Sequence, residues 1–240
     1  MKRLNEVLLF SGGLDSFIAW HYLKKPACLY FVLNHRYSFV ERERINVLCK
    51  ETKDELRVIE IYNIKLEKIE EDNGNIPLRN LYLAAYATNY ADNIHLVVQQ
   101  GEKTMPDRSF EFLNLLNRTL RAGLGSSRIR VDTPFFNRTK TDMVRWYIDE
   151  GYDADILKNT WSCYEPLSDS SLDEIVPCGE CSACFRRWVA MFLNKIEERY
   201  VVSPPEGRLV DGYIQAMRNG EYDSIRTKQT MMALRKYGRL

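Results

Sequence analysis

Hydrophobic positions along this chain switch between two spacings, and the switches mark out the elements. Val7-Leu8-Leu9-Phe10 is an apolar run of strand length that stops at Ser11-Gly12-Gly13, where a helix-like pattern begins at once. Residues 15–25 read as that helix, with Phe17, Ile18, Trp20, His21 and Leu23 on a mixed apolar face and Pro26 as its stop. A continuous apolar run over 27–33 predicts a central parallel strand covered on both faces. Residues 38–56 are charged and helical in spacing, with Val40, Ile45, Val47, Leu48 and Leu56 free to face a sheet, and 57–62 form a third strand. A polar stretch over 64–75 reads as loop, 78–91 as a helix rich in alanine and leucine, and 94–99 as a fourth strand. A helix over 107–120, a strand near 129–134 and an amphipathic helix over 139–150 ended by Gly151 complete the series.

Strands alternating with helices predict an α/β fold, a parallel sheet with helices on both faces. Ligands of such sheets sit at the carboxyl ends of the strands. Residues 11–16, 34–37 and 99–107 all fall there, and so should meet in one cleft. From 153 the pattern becomes turn-rich and cysteine-bearing, with a helix near 184–199 and a polar tail carrying Tyr213, Met217, Tyr222, Met231, Met232 and Leu234. We therefore expect a nucleotide-binding domain over 1–152 and a small helical, metal-binding subdomain over 153–240. The tail should pack as short helices on the domain or on a neighbouring subunit.

The glycine pair matters most for chemistry. Two adjacent glycines permit a tight turn in which backbone N–H groups converge, and the following helix adds unpaired donors and the positive end of its dipole. Strand, turn and helix start together make a cradle for phosphate. Ser11 and Ser16 can donate from its rims, and Asp15 stands where a carboxylate could hold a metal ion riding on phosphates. The lysine of a Walker loop is missing, which excludes that chemistry. A bare Gly-Gly could equally be a plain strand-to-helix turn.

Composition narrows the class. At 240 residues the chain suits one α/β domain with a small appendage, and 45% apolar with 28% charged residues is ordinary for a globular protein. The formal net charge of +1 gives no field favouring nucleic acid or membrane, and no apolar run approaches the roughly 20 residues of a membrane span. The N-terminus runs straight into the first strand with no room for a signal peptide, so the cytoplasm is the expected location.

Of six cysteines, Cys28 and Cys49 are isolated and read as small buried hydrophobes. Cys178, Cys181 and Cys184 are spaced C-x-x-C-x-x-C, with Cys163 upstream. Four thiolates suit tetrahedral zinc in a closed, structural site, with Gly179 inside the knuckle where a left-handed residue is needed. Spacing alone leaves an iron–sulfur cluster open. His21, His35 and His95 are far apart in sequence and are not expected to be metal ligands.

Taken whole, Ser11-Gly12-Gly13-Leu14-Asp15-Ser16 resembles the S-G-G-x-D-S pyrophosphate loop of the ATP pyrophosphatases. The resemblance sharpens at Thr160-Trp161-Ser162-Cys163-Tyr164 with Cys178-Gly179-Glu180-Cys181-Ser182-Ala183-Cys184-Phe185-Arg186-Arg187, which is similar to the zinc signature of the 7-cyano-7-deazaguanine synthases. Pro77-Leu78-Arg79-Asn80 resembles that family's P-x-R-N block, and Thr133-Pro134 with Lys140 and Asp142 its T-P-L…K-x-E segment. The similarity implies an adenine nucleotide alpha hydrolase-like, Rossmann-like fold and an ATP-dependent ligase. Such an enzyme would convert 7-carboxy-7-deazaguanine and ammonia to 7-cyano-7-deazaguanine, splitting ATP to AMP and pyrophosphate. It also implies phosphate contacts at Ser11, Gly12, Gly13, Leu14, Asp15 and Ser16 with Mg²⁺ bridging, catalytic roles for Asp15, Arg79 and Lys140, and structural Zn²⁺ on Cys163, Cys178, Cys181 and Cys184. The partners implied are small molecules, with no membrane and no direct nucleic acid, in a homodimer. Trp161 and Tyr164 could stack on a purine-like ring or simply pack beside the zinc knuckle.

Three departures from the family pattern fall on the side expected to face the acceptor. The segment Gln100 to Ser109 keeps Pro106-Asp107 and lacks the usual cysteine, residues 34–37 replace an aspartate–tyrosine pair, and the loop before Pro77 is short. The phosphate loop is intact. Readings that keep the loop but change the outcome therefore remain: a related carboxylate with a different nucleophile, an amide-only product, or a non-catalytic nucleotide-binding module.

Overall fold

The computed structural model describes all residues except 1, 2, 36, 72–75, 103, 104, 166 and 170–173. Parts of the expected 64–75 loop and of the two divergent segments thus lie outside the described residues. Strands β1 (Leu4–Leu9), β2 (Ala27–Phe31), β3 (Val58–Ile61), β4 (Ala91–His95) and β5 (Arg130–Asp132) form one parallel sheet in the order β3-β2-β1-β4-β5. Successive strands are added to one side of β1 and then, from β4, to the other, so the carboxyl ends of β1 and β4 frame the crevice where such sheets bind ligands.

The period of two along each strand divides the core. Leu8, Cys28 and Tyr30 point to one face, where helices α1 (Leu14–Tyr22), α2 (Ser38–Glu51) and α5 (Lys140–Asp149) cover them through Phe17, Ile18, Leu48, Met143 and Tyr147. Val7, Leu29, Phe31 and Ile94 point to the other, under α3 (Arg79–Ala87) and α4 (Phe110–Leu124) with Ala84, Ala87, Leu113 and Leu116. This is the expected α/β sheet, helix-covered on both faces.

Several elements end where the sequence pattern did not. Helix α1 stops three residues early because Lys24 and Lys25 turn left-handed (φ 60° and 64°) and return their N–H groups to His21 and Trp20 carbonyls before Pro26. Helix α2 stops at Glu51, not at 56, because Lys53 and Asp54 do the same (φ 52° and 61°), and buried Leu56 belongs to the core beyond the turn. Strand β4 starts at Ala91, paired with Leu4 of β1, and its pairing dissolves after Leu96, which donates to the Asp132 carbonyl at 2.8 Å. The helix expected over 107–120 is a short 3-10 turn at Pro106–Arg108 followed by α4, which Ser109 caps by accepting from the Phe112 N–H. Thr139 and Asp142 form a reciprocal capping box at the start of α5, a device worth about 1 kcal/mol.

Beyond 153 come a two-stranded antiparallel hairpin, β6 (Leu167–Asp169) with β7 (Glu174–Val176), and then α6 (Ser182–Leu193), α7 (Val210–Arg218) and α8 (Ser224–Tyr237). The hairpin has no counterpart in the sequence reading, since three-residue strands are too short to show periodicity. Helix α6 begins inside the cysteine knuckle and ends at Leu193, before Lys195 turns left-handed. One side of α6 joins the α1–α5 core through Ala190 and Met191, and the other carries α7 and α8 on Phe185, Trp188, Val189, Val210 and Leu234. The tail therefore packs as helices on its own chain. No helix among the described residues is long and apolar enough to cross a membrane.

Candidate active site and metal centre

The strand–turn–helix at residues 10–16 is built as a cradle. Gly12 sits at φ +68°, and a Cβ there would lie 2.9 Å from Ile45 Cγ1, so both its conformation and its space call for glycine. The Ser16 hydroxyl donates to the Gly13 carbonyl at 3.0 Å and lies 3.4 Å from Ser11 Oγ, which gathers both hydroxyls at the helix start. Leu14 contributes backbone only, because its side chain is buried in the core.

Asp15 projects into a cleft whose floor is the ends of β1, β2 and β4. Its Oδ1 pairs with Lys140 Nζ at the first position of α5, and its Oδ2 accepts from Gln99 Nε2 at 3.2 Å. Loop, α5 and the segment after β4 are thus tied at one carboxylate. Arg186 of α6 lines the same cleft. Burial works against its charge, but Tyr164, Glu102 and Asp15 around it outweigh burial and hold its pKa above the usual value.

Arg79 lies along another wall of the cleft, at the start of α3, near Tyr37. Leu78 before it adopts a left-handed φ of 56°, a conformation costing about 1–2 kcal/mol for such a residue. The 3-10 turn clamps this helix start, with Asn80 Nδ2 donating to the Asp107 carbonyl at 3.0 Å and Arg108 bound to Glu102 at 2.5 Å. The Pro-Asp that the divergent segment retains thus contacts the head of α3 at Asn80, next to Arg79.

Beside Arg79 stands an aromatic set that joins Tyr164, considered for stacking, to His35 and Tyr37 of the 34–37 segment, with Glu41 and Tyr30 not named from the sequence. His35 and Tyr37 rings lie 3.9 Å apart, Tyr37 and Tyr164 5.6 Å. Glu41 accepts from Tyr30 OH at 3.3 Å and faces His35 Nε2 at 3.3 Å. Burial, then the Glu41 charge, raises the pKa values of Tyr30 and Tyr37. His35 Nδ1 is buried with no partner among the described residues. Flat rings beside a carboxylate acceptor suit a purine-like ligand with exocyclic donors.

Trp161 lines the cleft but is only 5% exposed. Its indole N–H donates to the Cys163 carbonyl at 2.8 Å and Arg44 stands 5.6 Å over the ring. Of the two aromatics considered for stacking, Tyr164 is the half-exposed one.

The four cysteine sulfurs lie within 4.8 Å of one another and are buried. Zinc–sulfur bonds of about 2.3 Å give tetrahedral edges of about 3.8 Å, and the Cys163–Cys178 and Cys178–Cys184 separations are 3.5 and 3.9 Å. Backbone N–H groups of Glu165 and Cys178 aim at Cys163 Sγ, that of Cys181 at Cys178 Sγ and that of Cys184 at Cys181 Sγ, all at 3.3–3.4 Å. Four such donors favour thiolates. The donor set and its size fit one zinc ion, whereas an iron–sulfur cluster must place several atoms between its thiolates. Gly179 (φ +82°) is obligatory, since a Cβ would fall 1.7 Å from the Val202 carbonyl oxygen.

The histidines sit elsewhere. His21 is packed among Phe17, Tyr147 and Tyr152, where burial and Lys25 lower its pKa to about 4. His95 lies between Asp132 and Glu6. Cys28 is fully buried and Cys49 half-buried.

Fold and site together define a parallel α/β protein with a strand–Gly-Gly–helix loop at its topological switch point and a buried cluster of four cysteines that could hold a metal ion. Its sequence places it in a family: the family described as queuosine biosynthesis protein QueC matches residues 52–194, more than half of the chain, and the chain belongs to it as an enzyme of that family. The match begins after the phosphate loop, so the loop stands on its own geometry. Similar curated proteins, each named 7-cyano-7-deazaguanine synthase, occur in Campylobacter fetus subsp. fetus (27% identical over 207 residues, covering 74% of this chain and 88% of that protein) and Rickettsia akari (27% over 239 residues, 82% and 98%). A third, from Methanococcus vannielii, is 24% identical over 221 residues, covering 77% and 92%.

Proposed function

We propose that the protein uses ATP to activate the carboxylate of 7-carboxy-7-deazaguanine and joins it to ammonia, giving the amide and then 7-cyano-7-deazaguanine for queuosine-type nucleic-acid modification. The observation that carries this reading is the convergence of Asp15, Lys140 and Gln99 on the Ser11–Ser16 loop at the carboxyl ends of β1 and β4, in a chain of this family.

A carboxylate is a poor electrophile until one oxygen becomes a leaving group. In the proposed reaction that oxygen attacks the α-phosphorus of ATP, the bond to the β-phosphate breaks, and pyrophosphate departs. Ammonia then attacks the carbonyl carbon, the C–O bond to AMP breaks, and a proton is lost to give the amide. A second activation at the amide oxygen, followed by loss of AMP and a proton, leaves the nitrile.

The chain's part is positioning and charge neutralisation. Backbone N–H groups of the loop and the hydroxyls of Ser11 and Ser16 hold the β- and γ-phosphates. Lys140 faces charge developing on the departing pyrophosphate. Asp15 would hold Mg²⁺, which supplies neutralising charge to the phosphate oxygens. Arg79 clamps the carboxylate or an adenylate phosphate with its guanidinium fork, and the His35–Tyr37–Tyr164 set receives a ring. Zinc on the four cysteines is structural. The division into 1–152 and 153–240, a homodimeric state and a cytoplasmic location belong to the same proposal. Incubation with ATP, Mg²⁺, ammonium and 7-carboxy-7-deazaguanine, followed by mass spectrometry, tests it: amide or nitrile with AMP is expected, and AMP without either product would overturn the acceptor.

A further inference from the structure

Past Lys140 the cleft continues into a smaller chamber of about 40 Å³. Lys140 and Arg186 line both spaces, and the outer wall is made by Tyr213 of α7 with Arg226 and Gln229 of α8. These last three residues lie in the tail beyond the segment that matches the family. A water needs about 10–15 Å³ of such space, so the chamber has room for about three waters or one tetrahedral oxyanion.

Its lining is net positive, with Lys140, Arg186 and Arg226 against the one carboxylate of Glu102. Arg226 Nη1 donates to the Gly101 carbonyl at 3.3 Å, and its guanidinium stands 5.0 Å over the Tyr222 ring. Arg186 donates to the Ser182 carbonyl at 3.2 Å and lies 3.4 Å from Tyr164 OH. Neither guanidinium pairs with a carboxylate among the described residues. Glu102 and Asp15 favour the Arg186 charge from a distance, but their short ion pairs are with Arg108 and Lys140. Burial, and then the Arg186 charge, lowers the pKa of Arg226 below the usual arginine value. Two half-buried like charges facing one space are unfavourable until an anion sits between them.

Arg226 is also held in place. A Cβ on Gly101 would lie 2.8 Å from Arg226 Cδ, so the turn after β4 runs close against the arginine stem. Asp223 at the head of α8 accepts from Gln100 Nε2 at 3.2 Å and caps the helix through the N–H groups of Ile225 and Arg226. The tail thus delivers a guanidinium to the phosphate side of the cleft on a fixed helix.

We infer that this chamber binds a phosphate-class oxyanion, gripped between Arg186 and Arg226 beside the phosphate loop. Paired guanidinium forks match phosphate oxygens. The anion has two sources, one phosphoryl end of pyrophosphate released at the adjoining loop, which rests on the proposed function, or free phosphate from solution.

Isothermal titration of the full-length, metal-loaded protein with inorganic pyrophosphate and with inorganic phosphate tests this without turnover. Arg226→Gln should weaken binding at least about tenfold, the loss of one charge-assisted pair, and Arg226→Lys should restore part of it while both variants keep the wild-type melting temperature within a few degrees. Tighter binding of pyrophosphate than phosphate identifies the leaving group as occupant, and equal binding identifies free phosphate. Binding of both anions that is indifferent to Arg226, or no binding by the wild type, overturns the inference. A protein that makes no AMP yet binds in an Arg226-dependent way would sink the proposed function and leave the chamber standing. One that makes AMP with Arg226-independent binding would do the reverse.

Discussion

The Trp161 N–H donates to the Gly12 carbonyl at 2.9 Å, and a Cβ on the neighbouring Gly13 would lie 3.1 Å from the Trp161 carbonyl oxygen. Trp161 precedes Cys163, the first cysteine of the cluster, by two residues, so the four-cysteine cluster buttresses the Gly12–Gly13 turn. Removing zinc with a chelator, or substituting Cys184→Ser, should lower the melting temperature by on the order of 10 °C, since metal binding here is folding energy. It should also raise the KM for ATP. Calorimetry with and without the chelator, alongside elemental analysis for one zinc per chain, checks this; an unchanged ATP KM in metal-free protein would uncouple the two sites.

Asp15 carries the charge that three segments share. Asp15→Asn keeps its shape and can still accept from Gln99, so the fold should hold, but Lys140 loses its ion-pair partner and the loop its anionic ligand. Pyrophosphate release should fall on the order of 10²-fold or more. Turnover near wild type in a well-folded variant would remove Asp15 from the machinery.

Arg187 is 3% exposed and spends its guanidinium on Glu198, Thr160, Ser162 and the Leu157 carbonyl at 2.6–3.3 Å. Glu198 also accepts from Tyr200 OH at 2.7 Å. Arg187→Ala should cost about 3–5 kcal/mol, because it strands a buried carboxylate, and the double variant Arg187→Met with Glu198→Leu should recover part of that loss. Urea unfolding of the two variants decides; a double variant no more stable than Arg187→Ala would contradict a coupled pair.

His95 gives the stability a pH dependence. Burial pulls its pKa down, but hydrogen bonds and charges from Asp132 (2.6 Å) and Glu6 (3.1 Å) outweigh burial and raise it above the ordinary value of 6.5. A raised folded-state pKa contributes stability that is complete below 6.5 and lost as pH rises through the folded value. The melting-temperature gap between wild type and His95→Gln should therefore narrow from pH 5.5 toward pH 8.5. A gap that widens over that range would contradict the arrangement.

Local features were legible in the sequence, as was the meeting of 11–16, 34–37 and 99–107 at the strand ends, but which side chains pair there was not. The strand–Gly-Gly–helix at residues 7–16 and the C-x-x-C-x-x-C knuckle are complete within a few residues, so their chemistry could be read directly. Helix ends were missed at Lys24–Lys25 and Lys53–Asp54, where the chain turns left-handed on residues that carry no turn signature. Arg79 and Lys140 were named through family-like blocks, yet the Lys140–Asp15 pair spans 125 residues. Gln99, Glu41, Arg186 and Arg226 belong to ordinary-looking strands and helices, and only the sheet order brings them to one cleft.

The most direct test of the central claim uses 7-carboxy-7-deazaguanine labelled with ¹⁸O in its carboxylate, turned over with ATP, Mg²⁺ and ammonium. Activation at the α-phosphorus predicts AMP carrying ¹⁸O from the substrate and pyrophosphate carrying none. Label in pyrophosphate or phosphate, with unlabelled AMP, would mean that the bond broken lies elsewhere, and the account of the Ser11–Ser16 loop would be wrong.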